Sequence, residues 1–263
     1  MSNFSIEKQF SNFGQYNYYY SKPEVKRTQK AAYLCEPTPL KISLAAAGGT
    51  ALGVLGALFC IVKRHISAGK LKETDKLLSN MFKINYKSPV TLIGLGAGSV
   101  LGGLAGGMLA DKKEHYAAKM KEGFHQFVGI ILLPLLLAEG GLKILEHYGV
   151  REGLPEIKGK GKFINVMRRR APAMFVSIAA IAVGMFAGNA FCNKIDEHIF
   201  EDVHRRKIKG KDWLAHADDA FDMFAFSGVE GKAERFLGIA LPITYGICGY
   251  TAGTARKELE VRN

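Results

Sequence analysis

Cysteine, tryptophan and recognisable catalytic motifs are scarce in this chain. Its 263 residues hold four cysteines and a single tryptophan. Cys35, Cys60, Cys192 and Cys248 show neither CxxC nor metal-ligand spacing. Three of them fall within or at the ends of apolar runs, which suits small apolar fillers better than disulfides. There is no GxSxG, no HExxH, no GxxxxGK[ST], no placeable Cys and His arrangement and no pair of carboxylates within an apolar run. These absences favour a non-enzyme, and no cofactor or metal is expected.

A cleavable secretory signal is also missing. Such a signal needs a short basic region followed at once by an apolar one, whereas MSNFSIEKQFSNFGQYNYYYSKPEVKRTQK is polar and aromatic throughout. Acidic Glu7 and Glu24 argue against an organellar transit peptide. Residues 1–39 are therefore expected to form a disordered or interfacial tail, with Tyr16 to Tyr20 suited to the headgroup level. The first apolar run then serves as an uncleaved anchor.

Glycine, by contrast, is abundant and regularly placed. GLGAGSVLGGLAGGMLA puts Gly94, Gly98, Gly102 and Gly106, then Ala110, at every fourth position, and so on one face of a helix. In a soluble helix each glycine costs roughly 1 kcal/mol relative to alanine. In lipid, helices associate through close van der Waals contact, and rows of small residues let backbones approach. This face, and the similar row Ala45, Gly49, Gly53 and Ala57, are expected to be helix-packing surfaces.

Five runs are long and apolar enough for a hydrocarbon core that needs about 20 residues. They are Leu40 to Val62, Val90 to Ala110, Phe124 to Leu145, Ala171 to Cys192 and Phe236 to Gly253. Glu139 interrupts the third, and Pro242 lies inside the short fifth. Charged loops dilute these runs, which is why the mean hydropathy is near zero. The longest loop, 193–235, has 43 residues, too few to bury a core of its own. The fold class expected is thus an all-α integral membrane protein with about five transmembrane helices, multi-pass, in a membrane the sequence does not identify. The formal charge of +12 fits lysines and arginines flanking spans and meeting anionic headgroups rather than nucleic acid. The partners expected are the lipid bilayer and a membrane protein or a second copy of the chain in a homo-oligomer.

The spans resemble one another. GGLAGGMLADK, from Gly102, aligns without gaps to GMFAGNAFCNK, from Gly184, matching Gly102 with Gly184, Ala105 with Ala187, Gly106 with Gly188 and Lys112 with Lys194. FVGIILLP, ending at Pro134, resembles FLGIALP, ending at Pro242. The last four spans therefore read as a tandem duplication of a two-helix unit, 90–145 and 171–253. An even number of spans per unit makes the repeats parallel, with the first span outside the duplication. Pro134 and Pro242 are expected to kink their helices.

Five spans place the amino-terminal tail with loops 111–124 and 193–235, opposite the carboxyl-terminal tail. Lys plus Arg then number 18 on each side, so the positive-inside rule is tied. Lys158, Lys160 and Lys162, with Arg168, Arg169 and Arg170, lie in one loop and suit lipid headgroup contact. They tilt that loop and the carboxyl terminus towards the cytoplasm. Glu139 is the acidic residue well inside a span, where ionisable groups are functional candidates. Lys143 lies four residues on and offers it a neutralising partner. DWLAHADDAFDMFAF, Asp212 to Phe226, suits a helix in the interface plane. Its His216, Asp219 and Asp222, with His198 or His204, match no known metal motif.

The function expected is a structural or protein-interaction role in the membrane. The alternative is a small transporter or channel with its pathway between the two repeats; a membrane enzyme using loop 193–235 comes third.

Overall fold

A computed structural model describes residues 33–35, 38–69, 71, 80, 84, 88–150, 155, 157–159, 161–199, 206, 208, 212, 232–256 and 258–260. The protein is all-α apart from one short strand pair. Four helices are long and apolar enough to cross a membrane: α1 (Leu40–Ser67), α2 (Pro89–Ala110), α3 (Lys113–His147) and the Ala171–Ile199 part of α4 (Lys162–Ile199). A fifth helix, α5 (Lys232–Thr254), begins with charged residues and carries Pro242 inside it. The outward faces of α1, α2 and α4 present Leu52, Leu101, Phe175 and Phe186, the apolar surface a lipid-facing helix requires.

Local sequence explains the helix ends. Pro89 starts α2 at a position where its missing N–H costs nothing. At the end of α3, Gly149 takes φ 67°, Val150 N–H donates to the Leu145 carbonyl and Gly149 N–H to that of Glu146, a Schellman ending that favours glycine. Within α3, residues His125–Leu132 wind as a π-helix just before Pro134. Proline lacks the N–H that a regular ladder would use there, and a π turn is one of the ways a helix accommodates this.

Helices α1 and α2 run antiparallel, Ala45 and Gly49 lying against Gly106 and Gly102, and Gly53 and Ala57 against Gly98. Helices α3 and α4 are also antiparallel, Gly129 meeting Gly188 and Pro134 meeting Gly184. Helix α5 fills the other side of α2. Gly103 lies against Gly249 and Gly107 against Gly253, while the Ser99 hydroxyl donates to the Tyr245 carbonyl at 2.5 Å. Both numbers rise together, so α5 is parallel to α2 and hence to α4.

This direction differs from the alternation expected of five consecutive spans. Thr254, at the end of α5, accepts from Thr38 Oγ1 at 3.3 Å just before α1. Beyond it, β2 (Glu258–Glu260) pairs antiparallel with β1 (Tyr33–Cys35), Leu34 opposite Leu259. The flanks of the two tails therefore lie at one end of the bundle, together with residues 111–115. The loop containing Lys158 lies at the other end, so it and the carboxyl terminus do not share a side. Ile199, at the end of α4, and Lys232, at the start of α5, lie at opposite ends of the bundle. Helix α3 is antiparallel to α2 whereas α5 is parallel to α4, so 90–145 and 171–253 do not form matching hairpins.

Candidate functional site

Two polar clusters lie at the end of the bundle where α2 finishes and α3 begins. The first ties down the carboxyl end of α5. Lys119 is fully buried; its ammonium donates to the carbonyls of Gly253 at 2.7 Å and Ala255 at 2.9 Å. The last carbonyls of a helix lack intrahelical partners and carry partial negative charge, and no basic residue occupies the last turn of α5. Lys119 supplies that cation from α3. It also pairs with Asp111 Oδ2 at 3.0 Å, which Arg256 Nε approaches at 3.4 Å. Burial by itself raises the Asp111 pKa, but the Lys119 hydrogen bond, the Lys112 backbone N–H and the Lys119 and Arg256 charges outweigh it and hold the carboxyl below its ordinary value.

The second cluster joins α3, α4 and the segment after α4. On α3, Glu122, His125 and Gln126 share one face at helical spacing, and Gln126 donates to Glu122 Oε1 at 2.8 Å. On α4, Asn189, Cys192, Asn193 and Asp196 form the facing stripe. His125 Nε2 and Asp196 Oδ2 are 2.6 Å apart, with both side chains all but inaccessible. Lys121 Nζ lies 3.5 Å from the same oxygen. Arg206 lies between two carboxylates: its Nε and Nη2 donate to Glu122 at 3.2 and 3.1 Å, and its Nη1 and Nη2 to Asp212 at 3.0 and 2.6 Å. Asn189 and Asn193 both donate to the Arg206 carbonyl, and Asn193 Oδ1 accepts from the Arg206 N–H.

This second cluster lies alongside the last turns of α2. A Cβ on Gly123 would touch the Leu104 side chain, and Leu104 is six residues inside the end of α2, about 9 Å at 1.5 Å per residue. Buried charges are tolerated when paired and hydrogen-bonded, and Glu122, Arg206 and Asp212 are all buried. The bidentate Arg206 contacts satisfy that condition for Glu122 and Asp212.

The residues singled out from sequence fall elsewhere. Gly98, Gly102 and Gly106 face α1, where an added Cβ would strike the backbone of Gly53, Gly49 and Ala45 or the Ala57 methyl. Gly94 is on the same side but looser: a Cβ added there would lie 3.9 Å from Ile61 Cδ1. Gly49 and Gly53 are their partners on α1. Gly184 makes room for Pro134, and Gly188 for Gly129. Gly103, Gly107, Gly249 and Gly253 form a further glycine contact that the four-residue spacing did not reveal. Glu139 pairs with Lys143 at 3.4 Å on a largely exposed surface at the opposite end from the charge cluster. Lys158 and Arg169 are exposed and Arg168 is half-buried. The side chains of Lys160, Lys162 and Arg170 lie outside the described residues, as do His204, His216, Asp219 and Asp222.

Sequence reasoning missed Glu122, His125, Asp196 and Arg206, because each reads as the edge of a span or as loop. The available signal was the stripe Asn189, Asn193 and Asp196, polar residues at helical spacing on an otherwise apolar helix. Comparison with protein-family models, curated proteins and solved structures found no match.

Proposed function

We propose that this protein has a structural or protein-interaction role in the membrane, as a preassembled helical scaffold. The observation that carries this reading is the use of both sides of α2. One row of glycines lies against α1 and another against α5, each at backbone contact. Such contacts give dispersion attraction along a whole helix and fix the relative positions of three helices. The aligned residues Gly102 and Gly184, and Gly106 and Gly188, each face the preceding helix, which supports reading α2 and α4 as duplicated glycine-zipper helices with GxxxG spacing. With these faces occupied within the chain, a partner or second copy would meet the outward apolar surfaces.

The test is crosslinking in native membranes with reagents placed on the outward face of α1, at Leu52 or Leu55. A defined crosslinked partner is expected. A chain that stays uncrosslinked, and that carries solute or ion flux in proteoliposomes, would overturn the scaffold reading.

A small transporter or channel is the second reading, favoured by the ionisable groups buried between α3 and α4. Intramembrane charges of this kind mark ion and proton pathways. Flux abolished by Asp196→Asn would establish it; Glu139, paired with Lys143 at the surface, is then not the residue to test.

A further inference from the structure

We infer that the turn containing Lys158 and the arginines near the start of α4 form a binding site for the phosphate of an anionic lipid. The inference rests on the chain crossing a membrane and on neither functional reading above. Two hydrogen bonds assemble the site. Ile157 N–H donates to Asn165 Oδ1 at 3.0 Å, and Asn165 Nδ2 donates to the Ile157 carbonyl at 3.3 Å. Gly159 takes φ 82° where the chain turns back. Lys158 is thereby fastened beside Asn165 in the first turn of α4. Arg168 and Arg169 follow Asn165 by three and four residues, which puts them on the same side of the helix.

Arg168 carries the second observation. It is half-buried, and its Nε is buried without a hydrogen-bond partner. Buried polar atoms are almost always satisfied, and a guanidinium is shaped to donate parallel hydrogen bonds to a phosphate. The unmet donor therefore marks the place of an anion, with Lys158 and Arg169 exposed beside it. Among the described residues, the acids at this end do not supply that anion. Glu139 pairs with Lys143, and Glu146, on the last turn of α3, does not pair with Arg168.

The surroundings select a lipid over a soluble anion. The apolar part of α4 begins at Ala171, so the two guanidiniums stand at its boundary, where headgroups lie. Phe175 follows Arg168 by two helical turns on the same side and is 73% exposed, with Ile178 exposed beyond it. That track suits acyl chains, and a soluble anion would leave it unused. Helix α3 runs antiparallel alongside, with Gly184 against Pro134 and Val176 against Gly141. The same register brings exposed Tyr148 level with Arg169, and tyrosine favours the headgroup level. Lys63 and Arg64, exposed near the end of α1, add positive charge to the same end of the bundle, which an anionic leaflet attracts.

The experiment is native mass spectrometry of the full chain released from nanodiscs of phosphatidylcholine with a minority of phosphatidylglycerol. Wild type is expected to retain phosphatidylglycerol in preference to phosphatidylcholine. A basic residue near an anionic surface is worth about fivefold in affinity. Arg168→Gln and Arg169→Gln are each expected to lower retention by about that factor, and Lys112→Gln with Lys113→Gln, at the other end, to leave it unchanged. Arg169 is exposed, so its variant tests the site even where loss of half-buried Arg168 disturbs the fold. Retention of the two lipids in proportion to their supply would overturn the assignment, as would an equal loss in the Lys112 and Lys113 variant. Displacement of the lipid by added inorganic phosphate would show that the site takes the free ion, and would overturn it too.

Discussion

Gly103 and Gly249 face each other across α2 and α5 so closely that neither position has room for a methyl group. A Cβ on Gly103 would overlap the Gly249 carbonyl, and one on Gly249 would overlap the Ser99 carbonyl. Because these obstacles are backbone, no side-chain rotation relieves them. Gly103→Ala or Gly249→Ala is expected to destabilise the bundle by about 1–3 kcal/mol, the usual cost of overpacking. Gly48→Ala and Gly56→Ala meet open space and are expected to be neutral, or to stabilise by up to about 1 kcal/mol through helix propensity. Unfolding in mixed micelles compares them; equal effects in the two pairs would mean that α2 and α5 do not touch here.

The parallel course of α2 and α5 gives an expectation for topology. Tags at the amino and carboxyl termini should react with a membrane-impermeant reagent from the same side, and a tag next to Lys158 from the other. Labelling of the carboxyl tag together with the Lys158 tag would contradict the pairing of Ser99 with Tyr245 and of Leu34 with Leu259.

Arg206 is the hub of its cluster. Arg206→Met removes the guanidinium that buried Glu122 and Asp212 share, a loss expected to cost about 3–5 kcal/mol. Adding Glu122→Gln removes the buried carboxylate charge that Arg206 neutralised and should recover part of that loss. Thermal unfolding in nanodiscs provides the measurement, and additive losses in the double variant would show that the two side chains do not interact.

Acid should loosen the anchor of α5. The Asp111 pKa is lowered in the folded protein, so its stabilising contribution is complete above the ordinary carboxylate value of 3.8. That contribution is lost as pH falls through the lower folded value. Wild type is expected to lose thermal stability on acidification over this range, and Asp111→Asn to start lower and show a flatter profile. Parallel profiles for the two proteins would place the acid sensitivity elsewhere.

The amino-acid sequence by itself determined the all-α membrane class and the positions of the helices, because apolar run length and small-residue spacing are local properties. Leu40, Val90 and Ala171 open spans in the sequence, and the structure has helices through each of them. The glycine row at 98, 102 and 106 was visible because helical spacing alone places it on one face.

The second row, Gly103 and Gly107, was hidden until α5 was placed against it, and the direction of α5 was not legible at all. Alternation of spans assumes that each connection stays on one side, whereas Asp212 lies at one end of the bundle and Lys232 at the other. The charge cluster was hidden for a related reason. Glu122, Asp196 and Arg206 are each unremarkable at the margin of a helix, and only tertiary packing carries Arg206 back against α3, where burial turns three ordinary surface residues into one mutually dependent group.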